Sequence, residues 1–445
     1  MAKGKDEIKL PISRNLLEKL AEFQEIELDD VDIELEELEF DFEPGSAGFS
    51  SPLLLRLAYE FAVIRDASNR IYNLLGSPGI PQIYPTPDHQ VTPGPMIAAP
   101  ETPAKIKPTS LLEAEVEIPI QEYPGSVVEV KLGATRADGG TRDRVLTIGG
   151  ETVPAFYSFQ ASPPHRPVIA FDVFDWGKVP LARAVKMHFR EVVNDPAEWA
   201  KLCVEKFDAE MINLHLLTID PLIEDASPSS ALKVVENVLQ AVDVPIAIGG
   251  CGDPVKDLAV FTAIAEATAG ERMLFNSVTL DMKIEETAKV VKDNGHTIIA
   301  FTSMDVNKAR ELNRKLYDFL PKEDIVMDTT TAALGYGLDY AFTVMERCRL
   351  AALKGDPELN HPISSGTTNA WAAREAWMKM GPEWAPRELR GPIWETITGQ
   401  TLLLAGVDYF MMMHPAAARS MRTLIDNLMS GGSQSEPTEW VSLKL

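Results

Sequence analysis

Beyond Pro167 the chain alternates between short, almost fully apolar segments and longer segments whose apolar residues recur at helical spacing. A strand that is covered on both faces consists almost entirely of apolar residues. The short apolar segments therefore predict strands that are buried on both faces. Eight strands are predicted, at Val168–Phe174, Met211–Leu217, Pro245–Gly249, Met273–Ser277, Thr297–Thr302, Ile325–Thr329, Ile363–Gly366 and Tyr409–Met413. The seventh is the weakest, because Pro362 precedes it and serine is a poor strand former.

The segments between the strands predict helices with clear start signals. Ser227 and Pro228 begin one helix, and Ser303 with Asp305 begins another, since these residue types favour the first turn or the cap. Eight strands joined by eight helices over about 265 residues predict a closed (β/α)8 TIM barrel, which we assign to residues 161–430. A doubly wound open sheet is the alternative.

The residues before the barrel predict three further regions. In 125–160, two runs rich in β-branched residues, Val127–Leu132 and Arg144–Ile148, flank a glycine-containing stretch and predict a β-hairpin. In 51–124 one or two helices lead into a proline-rich linker, because eleven prolines between residues 76 and 124 forbid regular helix. Residues 1–50 are an acidic arm, either solvated or ordered on a partner, and residues 431–445 are a C-terminal tail.

Composition narrows the class of protein. The chain has 445 residues, 45% of them hydrophobic, which is enough for a substantial core. Its net charge of −24 repels nucleic acid and anionic membrane surfaces. A signal peptide and a membrane-spanning apolar run are both missing, so we expect a cytoplasmic protein. Three dispersed cysteines, Cys203, Cys251 and Cys348, are too few for an iron–sulfur cluster in this chain.

Polar residues at the carboxyl ends of the strands are the first candidates for function, because TIM barrels bind their ligands there. Seven of them predict a cofactor-binding mouth: Asn213, Gly249, Gly250, Asn276, Thr302, Asp328 and Thr367. The glycines after the third strand allow backbone N–H groups to approach a ligand closely. The alternative is a tight turn in which Asp253 caps the helix that Pro254 begins.

Other chemistry at this mouth is less well supported by the residues. Cys251 has no aligned base, so a small buried thiol is the simpler interpretation. His215 and His414 lack the spacing of known metal-ligand sets, and histidines on isolated strands more often make a structural hydrogen bond. Asn276 and Asp328 face one mouth and could hold an amide-bearing heterocycle, or could simply cap loops. We assign no catalytic residue and no metal ligand.

Several segments together resemble the family of the small (delta) subunit of the corrinoid iron–sulfur protein in the acetyl-CoA synthase/decarbonylase system. The resemblance spans about Val127 to Leu428. The segments that carry it are VVEVKLGATRADGGTRDRVLTIGGETVPAFYSF, PVIAFDVFDW, DAEMINLHLLTIDP, VPIAIGGCGDP, LFNSVT and IVMDTTTAALGYGLDY.

The resemblance implies a barrel paired with a large (gamma) subunit that holds the iron–sulfur cluster and the corrinoid (cobalamin). It implies methyl transfer from methyl-tetrahydropterin, through a methyltransferase, to the corrinoid and on to acetyl-CoA synthase/carbon monoxide dehydrogenase in the Wood–Ljungdahl pathway. This chain would be an accessory subunit that caps the corrinoid at the interface. The alternative is an independent pterin-binding methyltransferase, to which Asn276 and Asp328 are similar but Gly249 and Gly250 are not.

Overall fold

The computed structural model describes residues 120–430. The predicted acidic arm, most of the predicted helical and proline-rich segment and the predicted tail therefore lie outside the described residues.

The described chain begins with a small antiparallel hairpin of two strands, β1 (Val130–Leu132) and β2 (Leu146–Ile148), in which Val130 lies opposite Ile148. This confirms the predicted hairpin, with shorter strands than expected. Val130, Leu132 and Ile148 are fully buried, and they pack against the apolar residues that fill the barrel interior. The hairpin therefore closes the amino-terminal end of the barrel.

Eight parallel strands form a closed barrel, as the alternating pattern predicts. They are β3 (Val168–Phe174), β4 (Met211–His215), β5 (Ile246–Gly249), β6 (Leu274–Val278), β7 (Thr297–Phe301), β8 (Ile325–Asp328), β9 (Ile363–Ser365) and β10 (Val407–Met412). Each pairs with the next along the chain, and β10 closes the barrel on β3. All seven residues of β3 are buried, as expected for a strand covered on both faces.

Two boundaries of the barrel strands differ from the prediction by two residues. Strand β4 ends at His215 instead of Leu217, because the chain turns there and the Thr218 N–H donates to Asp175 Oδ1 at 3.0 Å. Strand β10 begins at Val407, two residues early, because Val407 pairs with Ile363 of β9.

Nine α-helices surround the barrel within residues 120–430, one more than predicted. They are α1 (Arg183–Phe189), α2 (Pro196–Phe207), α3 (Pro228–Ala241), α4 (Pro254–Ala267), α5 (Ile284–Asp293), α6 (Val306–Leu316), α7 (Leu338–Leu353), α8 (Arg387–Leu404) and α9 (Pro415–Met429). The additional helix is α1, a short segment before α2 in the first crossover. Helices α3 and α6 begin after side-chain caps at Ser227 and Asp305, as predicted. None of the nine is long and apolar enough to cross a membrane.

A buried ion triad connects the hairpin side of the fold to the barrel. Arg349 on α7 lies 2.5 Å from Glu151, which follows the hairpin, and 2.5 Å from Asp408 on β10. The Asp408 carboxylate also accepts the Ile363 N–H at 2.7 Å. The triad and the hairpin therefore lie together at the amino-terminal end of the barrel, opposite the carboxyl-terminal mouth.

Candidate functional site

The fold brings all seven predicted site residues to the carboxyl-terminal mouth of the barrel. Four strands contribute residues directly, namely Asn213 on β4, Gly249 on β5, Asn276 on β6 and Asp328 on β8. Neighbouring strands hold them in register, so that Gly249 lies beside Asn276. Their contact with a ligand stays a prediction.

The seven residues differ sharply in exposure. The side chains of Asn213 and Thr367 are fully buried, and Thr302 and Asp328 are each 5% exposed. Gly250 and Asn276 are only partly buried. The exposed surface of the mouth is therefore at its rim, and the buried residues lie beneath it.

A hydrogen-bond network at the ends of β3 and β4 is the most complete polar group in the mouth. Asp172 Oδ1 accepts from Asn213 Nδ2 at 2.6 Å and lies 3.0 Å from His215 Nε2. Asp172 Oδ2 accepts from the hydroxyl of Thr368, which follows β9. Asp172 is 1% exposed, so these donors compensate the burial of its charge.

The His215 ring is held in one orientation. It stacks on Phe174, with ring centroids 4.9 Å apart and planes 17° apart. Asn213 Nδ2 lies 2.8 Å from His215 Nε2, on the same edge of the ring as Asp172. A Cβ on Gly249 would lie 3.0 Å from His215 Nδ1, so a larger residue at 249 would crowd the other edge of the ring.

The loop after β5 is held by Asp257 in the first turn of α4. Asp257 Oδ1 accepts the Cys251 N–H at 2.8 Å, and Oδ2 accepts the Gly252 N–H at 2.9 Å. Asp253 caps α4 by accepting the N–H groups of Val255 and Lys256, as the tight-turn interpretation predicts. The glycine-rich sequence is thus explained in part by the turn itself.

The Cys251 thiol lacks the character of a nucleophile. Burial raises its pKa to about 12, and the neighbouring Asp257 carboxylate adds to that effect. A thiolate is the reactive form of cysteine, so this side chain stays protonated and inert near neutral pH.

Asp328 is a buried carboxyl group at the end of β8. It accepts the Thr330 N–H at 2.7 Å and the Ser364 hydroxyl at 3.0 Å. Burial raises the pKa of Asp328 to about 6, although both hydrogen bonds lower it. Asn276 Nδ2, the other candidate for heterocycle binding, contacts Met411 Sδ at 3.3 Å.

A second buried carboxyl group, Glu395 on α8, supports the opposite side of the mouth. It accepts the backbone N–H groups of Met413 and His414, at 2.6 and 3.1 Å, and the Trp371 indole N–H at 3.0 Å. Burial raises the pKa of Glu395 to about 8, although these three hydrogen bonds lower it. His414 Nδ1 accepts the Ala416 N–H and so caps α9, which is a structural role.

No group of three or more His, Cys, Asp or Glu side chains within residues 120–430 is arranged to hold a metal ion.

Sequence comparison decides the family. A model of the family described as CO dehydrogenase/acetyl-CoA synthase delta subunit matches residues 129–420. The chain belongs to this family. The match covers the hairpin and nearly all of the barrel, which confirms the resemblance carried by the hairpin and strand motifs.

Two relatives that carry the name of a delta subunit match almost the whole chain. The acetyl-CoA decarbonylase/synthase complex subunit delta of Archaeoglobus fulgidus is 46% identical, over 96% of this chain and 98% of its own. Subunit delta 1 of Methanosarcina thermophila is 43% identical, over 92% and 93%. Among solved structures, a dihydropteroate synthase of Xanthomonas albilineans covers 62% of this chain and 95% of its own, with TM-score 0.41 and 14% identity.

Four contributors to the mouth, Asp172, His215, Asp257 and Glu395, are not among the seven predicted site residues. Asp172 and His215 are visible as strand-end polar residues, but nothing in the sequence indicates that they pair across β3 and β4. Asp257 carries one signal, an acidic residue in the first turn of a helix next to a glycine-rich loop. Glu395 lies in the middle of a helix, where no local pattern separates it from a solvent-exposed glutamate.

Proposed function

We propose that this chain is the barrel subunit of a corrinoid iron–sulfur methyl carrier. It would work with a large subunit, a methyl-tetrahydropterin methyltransferase and acetyl-CoA synthase/carbon monoxide dehydrogenase in the Wood–Ljungdahl pathway. The observation that carries the proposal is family membership over residues 129–420, which contain the entire mouth. The names of the relatives, as subunits of an acetyl-CoA decarbonylase/synthase complex, support partner subunits of this kind.

Two features of the mouth support contact with a corrinoid ring. A Cβ on Gly252 would meet no atom within 4 Å, so this part of the third-strand loop offers open space to a flat ligand. Asn213 Oδ1 is buried and has no hydrogen-bond partner among the described residues, which leaves one acceptor for a ligand. The corrinoid would supply cobalt as the methyl acceptor and donor.

The residues of this chain would bind and shield the ring. The rim residues Gly250 and Asn276 would contact it, while Asn213, Asp328 and Thr367 would support them from below. Asp257 would hold the third-strand loop in place through its two backbone hydrogen bonds. A cap of this kind excludes water from the reacting face and needs no general acid or base of its own.

Co-purification tests the proposal. The full chain should be isolated from its source with a larger partner that contains cobalt and iron, measured by elemental analysis. Recombinant chain alone should contain neither element in stoichiometric amounts. Failure to recover any corrinoid-bearing partner under gentle conditions would overturn the proposal.

The alternative, an independent pterin-binding methyltransferase, predicts a different result. Isolated chain would then bind methyl-tetrahydropterin and transfer its methyl group to free corrinoid. The glycines at 249 and 250 argue against that activity, because they provide no carboxylate at the end of the third barrel strand.

A further inference from the structure

The outer face of α8 is apolar, whereas the outer face of a surface helix is ordinarily polar. From residue 389 to its end, this helix exposes Leu389, Ile393, Ile397, Gln400 and Leu404. The four aliphatic side chains are 37–55% exposed. Because residues four and seven positions apart lie on the same side of a helix, the four form one stripe along it. Single exposed aliphatic residues are ordinary, but a continuous stripe of them marks a binding surface.

Two other helices of the barrel provide the contrast. The exposed residues of α5 are all charged: Glu285, Glu286, Lys289, Lys292 and Asp293. Those of α6 are all polar or charged: Asn307, Lys308, Glu311, Arg314 and Lys315. The outer surface of the barrel therefore has a polar side that suits water and an apolar side, at α8, that suits a protein contact.

The apolar area continues onto the start of α7. Tyr336 precedes this helix and is 50% exposed, and Tyr340 in its first turn is 67% exposed. An open groove lies between the start of α7 and α8, and its walls include Leu334, Leu338, Phe342 and Thr401. The Trp394 indole N–H on α8 donates to the Leu334 carbonyl oxygen at 3.2 Å, which joins the two parts. We define the α7–α8 apolar surface as Tyr336, Tyr340, Leu389, Ile393, Ile397 and Leu404.

The size of this surface suits a protein partner. Its six side chains are each roughly half exposed and together offer apolar area on the order of 400 Å². A standard interface covers about 800 Å² on each partner, and somewhat more than half of that area is apolar. Charged residues are depleted at the centre of such interfaces, and none of the six residues is charged.

Two further observations favour a different chain as the occupant. The net charge of −24 opposes close packing of two copies of this chain. The delta-subunit relatives are named as subunits of a complex, which supports a partner chain of another kind.

We propose that the α7–α8 apolar surface docks the large subunit, through an uncharged apolar face of that partner. The proposal rests on the proposed function and adds where on the barrel the two chains meet. Because helices line the side of a TIM barrel, this contact holds the partner without covering the carboxyl-terminal mouth.

The test measures the dissociation constant of the full chain for recombinant large subunit by isothermal titration calorimetry. Ile393→Glu places a charge at the centre of the surface, where docking would remove that charge from water. The substitution should weaken binding about thirtyfold or more, which is the effect expected at an interface hot spot. Ile397→Glu, one turn further along α8, should weaken binding in the same way.

Ala259→Glu is the matched control. Ala259 is exposed on α4, which follows β5, whereas α8 follows β9. These two strands are four places apart in the closed ring of eight, so the two helices lie on opposite sides of the barrel. The control adds the same charge to an exposed helix and should leave binding unchanged. All three variants should melt within about 2 °C of the wild-type chain, because exposed substitutions cost little stability.

The outcomes separate this inference from the proposed function. If both isoleucine variants bind the large subunit as tightly as wild type, the surface is wrong and the proposed function stands. If the wild-type chain does not bind the large subunit, both ideas fail.

Two other occupants would also overturn the inference. If the isolated chain sediments as a dimer and Ile393→Glu makes it a monomer, a second copy covers the surface. If Ile393→Glu and removal of residues 431–445 each lower the melting temperature of the isolated chain by several degrees, the C-terminal tail covers it.

Discussion

Gly250 and Asp257 lie so close together that residue 250 has no room for a side chain. A Cβ at this position would lie 2.5 Å from both Cγ and Oδ1 of Asp257. The same carboxylate accepts the N–H groups of Cys251 and Gly252, so the missing side chain allows it to hold the loop after β5. The packing of Asp257 therefore explains the glycine at position 250 without any ligand.

Gly250→Ala should destabilise the chain by about 1–3 kcal/mol, the usual cost of forcing extra atoms into a packed site. The cost should fall in an Asp257→Ala background, because the group that the new methyl meets has been removed. The free energy of unfolding of all four proteins in a urea titration measures this coupling. Equal costs in the two backgrounds would show that the contact does not limit residue 250.

Cys251 should react slowly with iodoacetamide. Burial raises its thiol pKa to about 12, so at pH 8 its thiolate fraction is roughly a thousandfold lower than that of an ordinary cysteine with pKa near 8.5. Mass spectrometry of the native chain over time should show little modification at residue 251, and rapid modification after unfolding in urea. Rapid labelling of the folded chain would contradict a partly buried, protonated thiol.

Arg349→Met should be strongly destabilising because it leaves two carboxylates, Glu151 and Asp408, without their cation. Loss of one partner from a buried ion pair costs about 3–5 kcal/mol. Arg310→Met is the matched control, because its pair with Asp356 is more exposed, at 31% and 22% of the side chains, and should cost about 1 kcal/mol or less.

The Arg349→Met defect should also depend on pH. Burial raises the pKa of Asp408, and the Arg349 charge opposes that rise. Without arginine the folded-state pKa moves further above its unfolded value, so stability falls as pH rises through the interval between them. Calorimetric melting of the variant at acid and neutral pH measures the difference. A defect that is constant with pH would mean that the carboxylates are not the cause.

The barrel was predictable from sequence because each strand carries its own signal. A strand buried on both faces must be apolar throughout, and β3, with seven buried residues, is the clearest example. Even β9, the weakest of the predicted strands, begins at Ile363 as predicted. It pairs with parallel strands on both sides, and this pairing outweighs the poor strand propensity of Ser364.

The internal contacts of the mouth were not predictable in the same way. The strand ends identified which residues meet, but the pairing of Asp172 with His215 depends on side-chain direction across two strands. The exposure of each side chain also depends on its depth in the barrel, which the packing of neighbouring strands and loops determines. Asn213 and Asp328 have the same polar, strand-end signature as Asn276, yet they lie below the rim.

Asp328→Asn should stabilise the chain at neutral pH. Burial raises the pKa of Asp328 to about 6, above its ordinary value of 3.8. Between these values the unfolded chain releases a proton that the folded chain keeps, so stability falls as pH rises, and the loss is complete above about pH 6. Two pKa units correspond to about 3 kcal/mol at most. Asparagine does not titrate, and its amide can accept the Thr330 N–H and donate to Ser364.

The difference in unfolding free energy between Asp328→Asn and wild type should therefore grow from pH 4 to pH 7. Urea titrations at half-unit pH intervals measure it. Ser364→Ala serves as the second arm, because it removes a hydrogen bond that lowers the Asp328 pKa and so should extend the pH-dependent loss to higher pH. A difference that stays flat over this range would show that Asp328 titrates normally. If the predicted gain is found, the wild-type chain keeps a carboxyl group that lowers its stability, which is the pattern expected of a group retained for binding at the mouth.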